Sequence, residues 1–332
     1  MRLPKFEYLR PASLEEACSL LAEHKGDSRI LSGGTALLIY LGQRLVTPKH
    51  LVSLKGISGL NYIDYDERDG LRIGALTSIN EVAISPLIRE KYPLLSQAAK
   101  EIGVPSIRYQ GTVGGNLCLD TRCIYYNQSS FWRQARSPCF KRGGKVCYAV
   151  KGGDHCQAVY QGDLAPVLLA LDARVRLTKA DSERLLPLSA LFTGRGEAPL
   201  SLAADEILRE VQIPPLSKGS VGFYQKLRVR EAMDFPLAGV AVMLSLDGGR
   251  ACQEARVILG AVASAPIEVS EAEEVLQGRE IKAEVVEEAA EAAYSNAHPV
   301  NNLSLGASYR RRMIKTLLKR AIEQSLNLTR GA

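Results

Sequence analysis

Residues 31–38, LSGGTALL, place two glycines and a threonine directly after one short apolar run and directly before a longer one. We interpret this stretch as a strand, a glycine turn and an apolar helix. Glycines leave their backbone N–H groups open to an anion, and the helix N-terminus favours negative charge. The stretch lacks the G-x-G-x-x-G fingerprint and the Walker lysine. Taken alone, it indicates either an anion-binding loop or a tight turn in which glycine supplies a positive φ.

A second glycine loop follows at residues 110–118, QGTVGGNLC. Its three glycines allow close approach of a ligand, and Thr112 and Asn116 add polar side chains. A single loop of this kind is also compatible with a purely structural turn. We expect both loops to lie at strand ends of one α/β region, where together they favour a dinucleotide-sized ligand bound between subdomains.

The segments around the loops predict alternating helices and strands. An N-cap at Ser13 begins a helix with apolar residues at helical spacing, within a βαβ unit over residues 1–60. One helix each is predicted over residues 78–92 and 92–103. From about residue 217, two long strand candidates flank an apolar run, and acidic Ala-rich helices and a basic final helix follow.

The composition predicts a soluble, globular, cytoplasmic protein. Hydrophobic residues make up 46% of the 332 residues and charged residues 23%, which are ordinary globular values. No apolar run approaches the roughly 20 residues that span a bilayer, and the N-terminus lacks the apolar region of a secretory signal. Of the net charge of +6, residues 123–156 contribute five charges, with six Lys or Arg and one acid. Because the charge is local, a general nucleic-acid-binding surface is excluded.

The same basic segment holds Cys123, Cys139, Cys147 and Cys156, separated by 15, 7 and 8 residues. In a reducing cytoplasm, cysteines indicate a metal or redox centre rather than disulfides. Four thiolates bind zinc or a 4Fe–4S cluster, but this spacing matches neither a zinc finger nor a ferredoxin. The six basic residues fit a negatively charged cluster, and six aromatic residues are expected to shield it from water.

The other cysteines are expected to be structural. Cys18 lies on the apolar face of the first predicted helix and is expected in the hydrophobic core. Cys252 lies in the C-terminal part of the chain. Cys118 is expected to pack beside the second glycine loop and is the main alternative ligand. His155 is a less favoured alternative, because neighbouring residues in an extended chain, here His155 and Cys156, point in opposite directions.

Five motifs resemble those of the FAD-binding medium subunits of the xanthine oxidase family of molybdenum hydroxylases. They are ILSGGTALL, QGTVGGNL, GDLAPVLLALDARV, DEILREVQIP and FYQKLRVREAMDFPLAGVAVML, in this order along nearly the whole chain. The resemblance implies an α+β fold. A two-part α/β FAD-binding domain would cover residues 1–57 and 58–216, and an α+β C-terminal domain with an antiparallel sheet would cover residues 217–332.

The resemblance also implies how FAD is bound. The first loop would hold the pyrophosphate, and the second loop would hold the pyrophosphate and adenylate from the other side. Asp163 would contact the adenosine ribose, and Leu208 and Lys226 would lie near the flavin. The implied set is Ile30, Leu31, Ser32, Gly33, Gly34, Thr35, Ala36, Leu37, Ile102, Gly111, Thr112, Gly114, Gly115, Asn116, Asp163, Leu208, Tyr224 and Lys226.

Two of these residues, Asp163 and Lys226, also have an interpretation from the residues themselves. A carboxylate such as Asp163 accepts hydrogen bonds from ribose hydroxyls, or else caps the helix that follows it. Lys226 would favour the anionic reduced flavin, or else is a solvent-facing strand residue. The resemblance further implies that Tyr224, which shares a strand face with Lys226, packs on the flavin ring or gates access to it.

An insertion over residues 120–161 separates the second and third motifs, and most members of the family lack it. It resembles the insertion of the 4-hydroxybenzoyl-CoA reductase branch, which implies one 4Fe–4S cluster on Cys123, Cys139, Cys147 and Cys156. The implied function is relay of single electrons from ferredoxin towards a molybdenum site in a partner subunit. That site would reductively dehydroxylate 4-hydroxybenzoyl-CoA to benzoyl-CoA in anaerobic aromatic degradation, so no catalytic residue is expected in this chain.

The implied partners are a molybdenum-binding large subunit and a 2Fe–2S small subunit, in a heterotrimer that dimerises to a heterohexamer. Two other functions stay open. One is the FAD subunit of a xanthine-dehydrogenase-like hydroxylase that uses NAD, against which the cysteine insertion argues. The other is a zinc-stabilised binding protein with a basic loop, which would contain no flavin.

Overall fold

The computed structural model describes residues 2–248 and 251–330, whose strands form three sheets. The N-terminal sheet is parallel, in the order β1-β3-β2. It consists of β1 (Glu7–Leu9), β2 (Ser28–Leu31) and β3 (His50–Ser53), with helices α1 (Leu14–Glu23) and α2 (Leu37–Gly42). The predicted βαβ unit is confirmed, and the Ser13 hydroxyl accepts a hydrogen bond from the Glu16 amide at the start of α1.

The second sheet is antiparallel, in the order β4-β5-β8-β6-β7. Its strands are β4 (Ile63–Asp66), β5 (Gly70–Gly74), β6 (Arg174–Thr178), β7 (Glu183–Pro187) and β8 (Ile207–Ile213). The helices of this part are α3 (Ile79–Ile84), α4 (Pro86–Lys91), α5 (Pro93–Lys100), α6 (Pro105–Gln110), α7 (Val113–Leu117) and, after the insertion, α9 (Leu164–Ala170). Apart from α6, which has no buried residue, these helices form one buried core with the sheet through their apolar faces.

Two predictions for this part are wrong. The single helix over residues 78–92 is two helices, α3 and α4, because Pro86 lacks an amide hydrogen and forces Ser85 out of helical geometry. The second glycine loop does not follow a strand but joins α6 to α7, and Gly114 and Gly115 lie within α7. A helix forms there because the Thr112 hydroxyl accepts a hydrogen bond from the Gly115 amide and caps it.

The third sheet is antiparallel, in the order β12-β11-β10-β9. Its strands are β9 (Ser220–Leu227), β10 (Ala238–Leu246), β11 (Cys252–Gly260) and β12 (Ile267–Glu268), and its helices are α10 (Ser270–Leu276), α11 (Ala283–Asn296) and α12 (Ala307–Arg330). The two predicted long strands are confirmed as β9 and β11, and the apolar run between them forms β10. The α+β fold is confirmed.

The insertion over residues 120–161 is mostly irregular. It contains one short helix, α8 (Ser130–Gln134), and a 3-10 turn (Phe140–Arg142). Its two ends pair at Arg122 and Val159. The Tyr126 hydroxyl donates to the Leu45 carbonyl over 3.1 Å, so the insertion lies against the chain that follows α2. Over the two ranges that the structure describes, no helix is both long and apolar enough to cross a bilayer.

Candidate dinucleotide site and cysteine pocket

The two glycine loops contact each other. The first loop, residues 32–36, meets the second at Gly33, where any side-chain carbon would overlap the carbonyl group of Gln110. The Thr112 hydroxyl lies 3.3 Å from the Ser32 hydroxyl and donates a hydrogen bond to it. Because only glycine permits so close an approach of two backbones, these residues form one continuous surface.

Free backbone amides distinguish the first loop from the second. Within the described ranges, the amides of residues 32–36 donate no hydrogen bond to another protein group. By contrast, the amides of Gly111 and residues 113–116 are all used inside the protein. Unused amides that converge between a strand and a helix are the donors that bind phosphate groups. Within the described residues, the first loop therefore offers five free amides to an anion, and the second loop offers only that of Thr112 among residues 111–116.

Asn116, and not Asp163, supplies the side-chain hydrogen bond at the start of α9. The side-chain oxygen of Asn116 accepts the Leu164 amide hydrogen over 3.0 Å. Asp163 occupies the N-cap position but makes no capping hydrogen bond, so the capping alternative for Asp163 is wrong. Its buried carboxylate instead accepts hydrogen bonds from the Tyr224 hydroxyl at 2.9 Å and the Lys226 ammonium at 3.1 Å.

Lys226 is a buried charge on β9. Its side chain is 1% exposed, which rules out the solvent-facing alternative. Besides Asp163, its ammonium donates to the carbonyls of Glu101 at 2.8 Å and Asp234 at 3.2 Å. Burial raises the pKa of Asp163, and the Lys226 charge and the hydrogen bonds from Lys226 and Tyr224 partly offset that rise. The three side chains form a polar cluster between the second and third sheets.

Tyr224 of this cluster also belongs to the hydrophobic core of the second part and is held by a glutamine of α5. Ile102 and Leu208 are both buried, in the same core as Tyr224. The sequence analysis missed Gln97 on α5, whose side-chain amide bonds both the backbone N–H and the carbonyl of Tyr224. A glutamine within an apolar helix was the only available signal. Gln97 fixes β9 against α5 and thereby fixes the position of Lys226.

The four cysteines of the insertion line one small cavity, which we call the cysteine pocket. Its lining residues are Cys123, Tyr125, Tyr126, Cys139, Phe140, Lys141, Val146, Cys147, Tyr148, Cys156, Gln157 and Ala158. None of the chain's seven cysteines, all of which the structure describes, forms a disulfide. Within the same described residues, no group of three or more His, Cys, Asp or Glu side chains is arranged to hold a metal ion.

The alternative ligands lie outside the cysteine pocket. Cys118 ends α7, and burial raises the pKa of its thiol to about 12. The ring of His155 bonds Asp154 through Nδ1 and Gln157 through Nε2. Cys18 and Cys252 are buried in α1 and β11, as predicted. The pocket therefore gathers the four predicted cysteines and no others.

Lys141 is the basic residue that lines the cysteine pocket. Its side chain is 4% exposed, and its ammonium donates to Asp120, Thr121 and the Gly196 carbonyl, each at 2.7 Å. Burial raises the pKa of Cys156 to about 11, whereas the Lys141 charge lowers it. Of the six basic residues expected to offset the charge of a cluster, only Lys141 lines the pocket, and Arg133, for example, is buried against backbone carbonyls, including that of Arg44.

Four of the six aromatic residues shield the cysteine pocket, and two do not. Tyr125, Tyr126, Phe140 and Tyr148 line it. Phe131 is 83% exposed. Trp132 instead lies under the guanidinium of Arg136, 4.4 Å from its ring centroid. The shielding expected of Phe131 and Trp132 is therefore wrong, since both lie on α8, outside the pocket.

Comparison with known proteins identifies the family. Residues 4–216 match the family described as "FAD binding domain in molybdopterin dehydrogenase", and residues 222–325 match "CO dehydrogenase flavoprotein C-terminal domain". The chain is an FAD-binding medium subunit of the molybdenum hydroxylase family. It is thus a subunit of an oxidoreductase complex, and it passes electrons through FAD.

Several relatives align with the medium subunit over almost their whole length. The carbon monoxide dehydrogenase medium chain of Hydrogenophaga pseudoflava is 28% identical over 96% of this chain and 96% of its own. The alpha subunit of the 6-hydroxypseudooxynicotine dehydrogenase complex of Paenarthrobacter nicotinovorans is 29% identical over 99% and 97%. A solved structure of the Hydrogenophaga pseudoflava carbon monoxide dehydrogenase superposes with a TM-score of 0.82, covering 98% of this chain and 99% of that one at 27% identity.

Two observations indicate that the residues of the medium subunit are suited to bind FAD. The first loop offers unused amides to a pyrophosphate, as described above. In addition, the hydroxyl of Tyr40, on α2 directly after that loop, is buried and finds no hydrogen-bond partner among the described residues. Burial raises the pKa of Tyr40 to about 12, so it is a neutral donor. The sequence analysis missed Tyr40 because it lies in an apolar helix.

Replacing Gly33 by alanine is expected to reduce FAD content to below about a tenth of the wild-type value, because the new methyl group forces the two loops apart. Gly56→Ala is the matched control, since the nearest atom to a side-chain carbon there is 4.0 Å away. Flavin absorbance per chain after desalting measures the effect. Equal FAD content in both variants would contradict the assigned contact between the loops.

Proposed function

We propose that the medium subunit relays electrons between FAD at the glycine loops and a 4Fe–4S cluster in the cysteine pocket. The observation that carries this proposal is the convergence of four cysteines, at most 33 positions apart in sequence, on one cavity shared with Lys141. FAD exchanges one or two electrons at a time, and a 4Fe–4S cluster exchanges one. Together they can therefore convert two-electron transfer into one-electron transfer, and the reverse.

A zinc ion and a 4Fe–4S cluster place different requirements on four cysteine ligands. Zinc holds its four sulfurs at 2.3 Å, which brings them within roughly 4 Å of one another. A cubane carries its four cysteines on separate irons and so holds them further apart. We assign a cluster because the four cysteines line one cavity together with Lys141, whose positive charge would offset part of the negative charge of a cluster.

The residues of the chain would bind and orient FAD as follows. The amides of the first loop and the Thr112 side chain would hold the pyrophosphate, and Asn116 would orient the second loop through its bond to Leu164. Asp163 and Lys226 lie together, 3.1 Å apart, whereas the adenosine ribose and the isoalloxazine ring are opposite ends of an extended FAD. The pair therefore serves one of these ends. The remaining assigned residues are Ile30, Leu31, Leu37, Ile102, Gly111, Gly114, Leu208 and Tyr224.

We further propose that the chain belongs to the 4-hydroxybenzoyl-CoA reductase branch, a proposal supported by its cysteine-rich insertion. Electrons from ferredoxin would pass to a molybdenum-binding large subunit through a 2Fe–2S small subunit, and 4-hydroxybenzoyl-CoA would be reduced there to benzoyl-CoA. Arg136, Lys145 and Lys151 are exposed on the insertion, and their charge favours encounter with an acidic carrier such as ferredoxin. A heterotrimer dimerised to a heterohexamer follows from the same assignment.

Anaerobic purification followed by analysis of flavin, iron, sulfide and zinc tests the proposal. We expect about one FAD, four irons and four sulfides per chain. Zinc in place of iron would overturn the cluster assignment and leave the FAD assignment standing. The substrate is tested by supplying the purified complex with reduced ferredoxin and 4-hydroxybenzoyl-CoA. We expect benzoyl-CoA to form.

Substituting Lys141 by methionine is expected to shift the reduction potential of the cluster to a more negative value. The reduced cluster carries one more negative charge than the oxidised cluster, so loss of a buried positive charge disfavours reduction. Lys145→Met removes an exposed charge from the same insertion and is expected to change the potential much less. Redox titration followed by EPR measures both, and equal shifts would argue against a special role for Lys141.

A further inference from the structure

The insertion leaves and re-enters the fold through a two-stranded stem. Arg122 and Val159 form its base, where each amide donates to the other's carbonyl over 2.7 Å. In an antiparallel ladder, the next pair to exchange hydrogen bonds lies two residues further along each strand. That pair is Ile124 and Gln157, and each directly follows a cysteine of the pocket.

Asn302 takes the place of the direct hydrogen bond between these stem residues. Its backbone carbonyl accepts from the Ile124 amide over 2.9 Å, and its side-chain amide donates to the Gln157 carbonyl. Asn302 is fully buried and lies between α11 and α12 of the C-terminal part. It therefore bridges the two strands of the stem and holds them apart at the level of Cys123 and Cys156.

Arg310 on α12 fixes the orientation of Asn302. Its guanidinium donates to the side-chain oxygen of Asn302 at 3.2 Å, which leaves the amide nitrogen to face Gln157. The same guanidinium donates to the carbonyls of Leu237 and Ala261, each at 2.7 Å. Arg310 is fully buried, and burial lowers its pKa to about 10, so it remains charged at neutral pH. Because the buried Arg310 guanidinium is held by several acceptors, it fixes Asn302 rigidly.

We infer that Asn302 is a positioning residue for the cysteine pocket. By separating the two strands of the stem, it spaces Cys123 and Cys156 for a cluster and makes cluster retention depend on the C-terminal domain. The inference rests on the proposed function, since it concerns the cluster assigned there. Asn302, which lies 145 positions after Gln157 in the sequence, thus helps to hold the insertion in place.

The variant Asn302→Asp tests this inference. Aspartate has the same shape and still accepts from Arg310, but it cannot donate to the Gln157 carbonyl and places a carboxylate oxygen against it. We expect iron to pass to a chelator at least about tenfold faster from the anaerobically purified full chain, because one buried hydrogen bond is lost. The rate of FAD release is expected to stay within about twofold of wild type. Asn302→Ala, which removes the donor without adding a charge, is expected to act in the same direction.

Asn296→Asp is the matched control, because Asn296 lies in the same domain and bonds Glu271 and the Ala292 carbonyl instead of the stem. It is expected to release iron at the wild-type rate. Iron release from Asn302→Asp at the wild-type rate would overturn the inference, as would parallel acceleration of iron and FAD loss. A wild-type chain without iron would overturn the proposed function, and this inference with it.

Discussion

Replacing Cys147 by serine is expected to remove the cluster and leave FAD in place. Cys147 lines the cysteine pocket and is not among the residues assigned to FAD, and a serine hydroxyl is a poor substitute for a thiolate. Iron is expected to fall from about four to below about one per chain, with flavin content unchanged. Iron and flavin analysis of the anaerobically purified variant, together with loss of the iron–sulfur absorbance, measures the effect.

Cys118→Ala provides the control for this prediction. Cys118 is the cysteine closest in sequence to the four in the pocket, yet it lies at the end of α7 and does not line the cavity. We expect this variant to retain its full iron content. Loss of iron from Cys118→Ala together with retention of iron by Cys147→Ser would show that the ligand set is wrong.

Replacing Lys226 by methionine is expected to destabilise the chain by about 3–5 kcal/mol, because it leaves the buried Asp163 carboxylate without its counter-charge. The loss arises at the junction of the second and third sheets, where Lys226 also bonds the Glu101 and Asp234 carbonyls. Urea denaturation of the flavin-free chain measures it. FAD content is expected to fall as well, since the proposed function places this pair in the FAD site.

The surface ion pair of Lys49 with Asp27 provides a control of similar geometry, with 2.6 Å between the charged atoms. Both partners are solvent-exposed, so Lys49→Met is expected to change stability far less. The double variant Asp163→Asn with Lys226→Met is expected to recover part of the stability lost by Lys226→Met alone. A Lys226→Met variant as stable as Lys49→Met would show that the buried pair contributes nothing to the fold.

The periodicity of apolar residues predicted most of the elements that position the site. The N-cap at Ser13, the βαβ unit and the long strands of the third sheet all follow from local patterns, which a short window of sequence contains. Pro86 is a further local signal, and it accounts for the division of the predicted helix over residues 78–92 into α3 and α4. The second glycine loop was misplaced because glycines in a short helix and glycines after a strand have the same sequence appearance.

Local sequence patterns did not predict the contacts between residues that are distant in the sequence. Lys226 lies 63 positions from Asp163, and neither residue type nor spacing indicates that they form a buried pair. The same holds for Asn302, which bonds Gln157 145 positions earlier. The cysteines were identified individually from the sequence, but their convergence on one cavity with Lys141 depends on the path of the insertion. Pattern therefore predicted the parts of the site, and tertiary packing determined their partners.

The most direct test of the electron relay is low-temperature EPR of the anaerobically purified medium subunit after reduction with dithionite. The four cysteines of the pocket predict a fast-relaxing signal of one reduced 4Fe–4S cluster per chain, visible only near liquid-helium temperature and absent from Cys147→Ser. A flavin-containing chain that shows no iron–sulfur signal and holds no iron would contradict a redox role for the insertion.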